Sequence, residues 1–270
     1  MHTTTAGDHV KIVLMEWAAY PPHRDKLVGS QWVRCGLGRL VQGMERYEPG
    51  LAADVIVVIN GAPPAPARGV WRSTKRHWEQ RCISQRLREY ALLPTKYPFV
   101  EAVCFRDNRG QDFGAYDFGY QLLRGQGYRG DVVFMNSSVA GPHEHGWLRK
   151  YREQFYRHPN MGLCGIGLNS HDTSREPSSF APHVQSYFLY TNMEVLERAV
   201  GARLFDCDAE DKLDIIAQGE IGVSARVLDA GYGITSPAFP EFAYRSGHPW
   251  SIPLGDLRYD PEPLAPPNTI

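Results

Sequence analysis

No stretch of the sequence approaches the roughly 20 consecutive apolar residues that a helix needs to cross a bilayer. The N-terminal residues also lack the basic segment and the apolar run of a secretion signal. We therefore expect a cytoplasmic protein with at most peripheral membrane contact, for which the basic cluster in residues 72–81 is the candidate surface.

Neither sign of charge predominates, because 29 basic residues balance 30 acidic ones. A nucleic-acid backbone attracts a concentrated positive surface, so we do not expect nucleic acid as a partner. Cysteine is scarce as well: the five cysteines are scattered and include no Cys-x-x-Cys pair. We interpret them as reduced thiols and not as zinc ligands.

What the sequence does contain is a regular alternation of strand and helix patterns. With 270 residues, of which 43% are hydrophobic, one α/β domain can bury a large core. We place this domain at residues 1–252 and interpret the proline-rich residues 253–270 as an extended or disordered tail. Buried strands are predicted over residues 11–17, 54–60, 99–105, 131–135, 161–166 and 184–191. Helices are predicted over residues 30–47, 74–92, 114–123, 147–156, 193–200 and 220–230.

This alternation favours a Rossmann-type fold with a mostly parallel central sheet and helices on both faces. In such sheets ligands gather at the carboxyl ends of the strands, so polar residues just after a strand are the candidates for a site. Residues 108–112 and 136–138 both occupy this position, and we expect their two strands to be neighbours. The segment around them matches neither the phosphate-binding loop of ATPases nor the glycine fingerprint of dehydrogenases.

Each candidate segment also has a purely structural interpretation. Asp112 precedes a predicted helix and could cap it. Asn136, Ser137 and Ser138 could form a turn before the following Gly-Pro pair. In residues 183–188, His183, Gln185 and Tyr187 would face one side of a predicted strand, which also fits plain solvent exposure.

Three ordered motifs resemble the rhamnan synthesis protein F family, and the correspondence runs from about residue 99 to residue 233. The motifs are Asn108-x-Gly110-x-Asp112-Phe113-Gly114-Ala115-Tyr116, then Phe134-Met135-Asn136-Ser137-Ser138-Val139-x-Gly141-Pro142, then His183-Val184-Gln185-Ser186-Tyr187-Phe188. The resemblance implies a GT-A-like fold and a bacterial glycosyltransferase that uses a nucleotide sugar as co-substrate. It implies donor binding by Asn108, Gly110, Asp112, Asn136, Ser137 and Ser138, and acceptor binding by His183, Gln185 and Asp172.

The sequence departs from such enzymes at the usual Asp-x-Asp metal motif. Asn136, Ser137 and Ser138 offer only neutral oxygens, whereas carboxylates suit a hard divalent cation. We therefore assign no metal ligand and expect that catalysis does not strictly require a divalent metal. Without a metal, the departing diphosphate needs other positive groups, and the candidates are Arg109, Arg149, Arg175, Arg245 and His248.

Glu220 stands at the start of a predicted helix, where it could cap the helix or reach into a cleft. It resembles the late acidic residue that acts as general base in inverting enzymes of this type, and Asp172 is the reserve base. The leading hypothesis is inverting sugar transfer from a nucleotide sugar to a hydroxyl of a polysaccharide or other glycosylated acceptor. A retaining transferase and a non-catalytic binding module stay open, while a nucleotidyltransferase is disfavoured by the missing carboxylates. The oligomeric state is left open.

Overall fold

The computed structural model describes residues 9–28, 31–61, 74–172, 179–206 and 211–252. Two candidate positions, Arg72 and Arg175, and the predicted tail lie outside the described residues. The strands are β1 (His9–Trp17), β2 (Arg24–Val28), β3 (Gln31–Cys35), β4 (Ala52–Asn60), β5 (Val100–Arg106), β6 (Asp131–Asn136), β7 (Met161–Gly165), β8 (Leu168–Asp172), β9 (Ser179–Val184), β10 (Phe188–Asn192), β11 (Gly233–Thr235) and β12 (Ala243–Arg245).

Most helices lie close to their predicted positions. They are α1 (Leu37–Arg46), α2 (Thr74–Ala91), α3 (Leu93–Lys96), α4 (Gln111–Gly125), α5 (Trp147–Arg157), α6 (Met193–Ala199), α7 (Lys212–Ile215) and α8 (Gly222–Asp229), with a π-helical turn (Ile216–Ile221) between the last two. None of the helices in the described part of the chain combines the length and hydrophobicity needed to cross a bilayer.

Eight strands form one sheet in the order β12-β11-β7-β10-β6-β1-β4-β5. Only β10 and β12 run antiparallel to their neighbours among these strands. Every position of β6 is buried, as expected of a strand that is covered on both faces. These findings confirm the predicted α/β fold with a mostly parallel, Rossmann-like sheet.

The predicted adjacency of the two site-bearing strands is wrong. β4 and β1 lie between β5 and β6, so two strands separate the loop after β5 from the end of β6. Helix α4 closes this distance because it starts directly after the loop and packs against β4 and β1. The two segments therefore meet through a helix and not through strand pairing.

The predicted helix over residues 30–47 is wrong in its first part. Gln31–Cys35 form β3, whose side chains alternate with Trp32 exposed and Val33 buried, the period of two that belongs to a strand. β3 pairs with β2 in a separate antiparallel hairpin. Gly36, with φ of 110°, then turns the chain from this hairpin into α1.

The predicted strand over residues 184–191 is in fact two strands in different sheets. β9 ends at Val184 and pairs with β8, whereas β10 starts at Phe188 and joins the main sheet. The change of sheet removes the continuous alternation that the sequence suggested for His183, Gln185 and Tyr187. The three residues between these strands hydrogen-bond through their backbone to groups outside β9 and β10.

Candidate active site

A cavity of about 750 Å³ opens where β1 and β6 end, within the size range of small-molecule sites. Its wall is completed by β2, the start of α4, the β8–β9 hairpin and the π-helical turn. Eight of the residues predicted for a site line this cavity: Asn108, Asp112, Asn136, Ser137, Ser138, His183, Gln185 and Glu220. The tertiary structure thus brings the three sequence motifs and the late glutamate to one place.

Other predicted site residues lie outside the lining of this cavity, among the residues that the structure describes. Gly110 is buried at the N-cap of α4 with φ of 67°, and a Cβ there would come 2.7 Å from the ring of Phe205. This glycine is required by the backbone and by close packing. Asp172 is buried at the end of β8.

The cations predicted for the diphosphate are distributed over several surfaces. Arg149 donates from Nη2 to the carbonyl of Gly50 at 2.6 Å, and Arg245 donates to the carbonyl of Pro159. Arg109 is exposed in the loop before α4, and His248 follows β12 at the far edge of the sheet. None of these four is among the described residues that line the cavity.

The floor of the cavity is a closed network around Glu16, a residue that sequence analysis missed. The Glu16 carboxylate is fully buried and accepts from the guanidinium of Arg24 at 2.9 Å and the hydroxyl of Ser137 at 2.7 Å. Backbone N–H groups of Trp17 and Leu37 donate to it at 2.9 and 3.0 Å. An acidic residue at the end of an apolar strand was the available signal in the sequence.

Ser137 is held inside this floor. Its hydroxyl donates to Glu16 and accepts from Nη2 of Arg24 at 2.7 Å, and the residue is only 3% exposed. The side chain therefore serves the network beneath the cavity. Asn136 and Ser138, the other two residues of the predicted Asn-Ser-Ser segment, make their contacts above this network.

Asn136 links Asp112 to the end of β6. Its Nδ2 donates to Oδ2 of Asp112 at 2.6 Å, and its Oδ1 accepts from the N–H of Ser138 at 3.0 Å. Asp112 does not cap α4, because Gly110 stands at the N-cap and no side-chain cap bond is made there. Burial raises the pKa of Asp112 to about 6, against the opposing hydrogen bond from Asn136 and with a further increase from the negative charge of Glu220.

Glu220 does not start a helix. It lies in the π-helical turn inside a continuous helical segment, so a helix-capping role is ruled out. Turns of this kind are rare and frequently occur at functional sites. Gly219 permits the close approach of this turn to α4, because a Cβ there would lie 2.4 Å from the ring of Phe113.

Two contacts orient the Glu220 carboxylate. Oε2 accepts from the N–H of Ser186 at 2.9 Å, and Oε1 lies 3.4 Å from Nε2 of His183. Burial raises the pKa of Glu220, but the hydrogen bond and charge of His183 together with the Ser186 contact more than offset burial and hold that pKa below its ordinary value. Asp112 and Glu220 therefore line one cavity with pKa values displaced in opposite directions.

The structure adds cations and aromatic rings that the sequence analysis did not select. Lys26 and Lys212 line the cavity together with Arg24 of the floor. Trp17 and Tyr20 also line it, with their rings in edge-to-face contact at 4.7 Å between centroids. Arg24 and Lys26 were missed because β2 was not predicted as a strand.

A Rossmann-like α/β protein with a polar cavity at the strand ends belongs to the class that binds small molecules at this edge of the sheet. The sequence matches the rhamnan synthesis protein F family over residues 88–236, more than half of the chain. The chain therefore belongs to the rhamnan synthesis protein F family, as the three motifs predicted. Membership assigns it to the synthesis of rhamnan or a related polysaccharide. A search of curated proteins found no match.

Proposed function

We propose that this protein is a glycosyltransferase that moves a sugar from a nucleotide-sugar donor to a hydroxyl of a polysaccharide or other glycosylated acceptor. The observation that carries the proposal is the pair of carboxylates, Asp112 and Glu220, in one cavity of a protein from a polysaccharide-synthesis family. Sugar transfer needs a base at the acceptor hydroxyl and polar groups around the donor, and both kinds of group line this cavity.

We assign Glu220 as the general base of an inverting reaction. Its lowered pKa keeps it ionised at neutral pH, so it can accept a proton without prior activation. Asp112 and Asn136 are assigned to the donor, as the family motif implies. The raised pKa of Asp112 also makes it the second candidate base, and it takes over the role of reserve base from Asp172.

We assign Lys26 and Lys212 to the departing diphosphate because both line the cavity. This assignment replaces Arg245 and His248, which lie at the far edge of the sheet. Arg24 is committed to Glu16 and Ser137 and contributes to the field of the site from below. With cations in these positions, transfer without a strict metal requirement stays our proposal.

Donor binding is tested first by thermal unfolding in the presence of UDP, GDP, dTDP and CDP sugars. A ligand at 100 times its dissociation constant stabilises a protein by about 2.7 kcal/mol, which is readily detected. We expect one nucleotide class to raise the unfolding temperature. The absence of a shift with every nucleotide sugar would contradict the proposal.

Turnover is tested with the Glu220→Gln variant and the donor so identified. Release of free sugar by transfer to water should fall at least about 100-fold, with little change in donor affinity. Glu194→Gln, at an exposed ion pair with Arg198, is the control and should keep wild-type turnover. Binding without turnover in the wild type would favour a non-catalytic module, and retention of the anomeric configuration would favour a retaining enzyme.

Chelation tests the metal proposal on the same reaction. EDTA should leave more than half of the turnover, because the strand end at Asn136 supplies no carboxylate of its own. Loss of nearly all turnover, restored by manganese or magnesium, would contradict the proposal of metal independence.

A further inference from the structure

The hairpin of β2 and β3 has an inner face and an outer face, because side chains alternate along each strand. Val33 and Cys35 are buried on the inner face. Their partners across the hairpin, Lys26 and Arg24, line the cavity. The outer face is formed by the alternate residues Asp25, Leu27, Trp32 and Arg34.

Two large apolar side chains meet on this outer face. Leu27 and Trp32 are direct partners in the hairpin, which places their Cβ atoms about 5 Å apart. Leu27 is 53% exposed and Trp32 is 70% exposed. The solvated face of an antiparallel pair ordinarily carries polar side chains, so an adjoining leucine and tryptophan mark a contact surface.

The chain around this pair is locally basic. Residues 20–40 contain four Lys or Arg residues against one acidic residue, in a protein whose formal net charge is -1. Burial lowers the pKa of His23, just before β2, and the positive charges of Arg39 and Lys96 lower it further. Both cations are exposed and therefore add their charge to the surface beside the hairpin.

Two charges of the hairpin are compensated locally. Glu16 pairs with Arg24 at 2.9 Å, and Asp25 stands opposite Arg34. Arg39 comes from α1 and Lys96 from α3, and neither belongs to these two pairs. The surroundings of the apolar pair are therefore positive on balance.

A second copy of the chain fits this surface poorly. One leucine and one tryptophan bury a few hundred Å² at most, whereas a stable interface takes about 800 Å² from each partner. A symmetric contact would also bring like charges together. An anionic membrane attracts the cations instead and accepts tryptophan and leucine at the level of its headgroups.

We propose that the outer face of the β2–β3 hairpin docks the protein on an anionic lipid membrane, with Leu27 and Trp32 inserted among the headgroups. This surface lies apart in the sequence from the basic cluster in residues 72–81. Because Lys26 of the same hairpin lines the cavity, docking would hold the cavity beside the lipid surface. The inference does not depend on the proposed function, and its test needs neither donor nor acceptor.

Cosedimentation of the full chain with lipid vesicles tests the apolar pair. We expect binding to phosphatidylcholine vesicles that contain phosphatidylglycerol, weaker binding to pure phosphatidylcholine, and a decrease with added salt. The double variant Leu27→Ala/Trp32→Ala should bind at least about tenfold more weakly. Tyr156→Ala is the control and should bind as the wild type does, because it removes a half-exposed ring beside Asp131, at the opposite end of the sheet.

The same assay tests the charge. Arg34→Gln should weaken binding about fivefold, the share of one basic residue near an anionic surface. Arg129→Gln removes an equally positive, exposed side chain just before β6 and should bind as the wild type does. The six residues of β6 span about 20 Å, well beyond the Debye length of about 8 Å at physiological salt.

Brominated phospholipids test whether Trp32 itself enters the membrane, because bromine quenches tryptophan fluorescence on contact. Trp32→Phe keeps an apolar ring and should keep most of the binding, but it should lose the quenching seen in the wild type. The chain has six tryptophans, so the difference between the two proteins is the measured quantity. Equal quenching in both would overturn the assignment of this face.

Three further results would overturn the proposal. They are no binding to either vesicle, equal binding to vesicles with and without phosphatidylglycerol, and unchanged binding of the folded double variant. A wild-type dimer in solution that Leu27→Ala/Trp32→Ala converts to a monomer would also overturn it, since the face would then be an interface between two copies. Analytical ultracentrifugation without lipid measures that outcome.

Discussion

The floor and the wall of the cavity both contain carboxylates, yet the protein treats them in opposite ways. Glu16 in the floor is fully buried and accepts from a guanidinium, a hydroxyl and two backbone N–H groups. In the wall, Asp112 and Glu220 each have few partners, remain in reach of the cavity, and have displaced pKa values. A carboxylate whose oxygens are saturated holds structure together, whereas one with free acceptor capacity is available for chemistry.

The largest loss of stability is expected when the hydrogen-bond network around Glu16 in the floor is disrupted. Glu16→Gln removes the charge that pairs with Arg24 at 2.9 Å, and breaking a buried pair costs about 3–5 kcal/mol of unfolding free energy. Urea unfolding measures this loss. Glu101→Gln is the matched control, because its ion pair with Lys11 is partly exposed and should change stability by no more than about 1 kcal/mol. Equal effects of the two substitutions would erase the distinction between a structural floor and an ordinary ion pair.

A smaller loss of stability is expected when the π-helical turn in the cavity wall is displaced and both carboxylates are kept. In Gly219→Ala the added Cβ would lie 2.4 Å from the Phe113 ring, and overpacking of this kind costs about 1–3 kcal/mol. The displacement moves the π-helical turn, so turnover of the folded protein should fall as well. Gly125→Ala, where no atom lies within 4 Å of the new Cβ, is the control. Unchanged turnover in Gly219→Ala would mean that the position of Glu220 is not critical.

The smallest effect on stability is expected from the ionisation of Asp112 in the cavity wall. Because burial raises the pKa of Asp112 from 3.8 to about 6, the folded state holds its proton more tightly than the unfolded chain. The stability that this provides is present below pH 3.8 and is lost as the pH rises through about 6. The stability difference between wild type and Asp112→Asn should therefore fall by on the order of 2 kcal/mol from pH 4 to pH 7.

Unfolding in urea at pH 4, 5, 6 and 7 measures this difference, with Asp214→Asn at an exposed position as the control for losing one negative charge. The stability contribution of Glu220 depends on pH in the opposite direction. Its lowered pKa stabilises the folded state above the ordinary carboxyl value of 4.5, and this stability is lost as the pH falls through the pKa of the folded state. A flat difference for Asp112→Asn would show that its carboxyl is no different from an exposed one.

Local patterns were sufficient where neighbours in the sequence decide the structure. The buried runs of β1, β4 and β6 and the periodicity of α5 and α6 were predicted within a few residues. Motif order was sufficient to identify the family and to select Asp112, Asn136 and His183, and the likeness to a late acidic residue selected Glu220; these four residues do meet in one cavity. In these cases burial and backbone preference act over a few residues, and one sequence contains that information.

Tertiary contacts decided the rest. The alternation Trp32, Val33, Arg34, Cys35 marks β3, but it was hidden inside a longer apolar segment that also fits a helix. The order that separates β5 from β6, the π-helical turn at Glu220, and the Glu16 network all depend on groups far apart in the chain. The sequence by itself determined the α/β alternation, the family and most of the polar residues at the strand ends. Only the tertiary structure decided which carboxylate is saturated and which is available, because ionisation and hydrogen-bond capacity depend on burial and on partners that three-dimensional packing supplies.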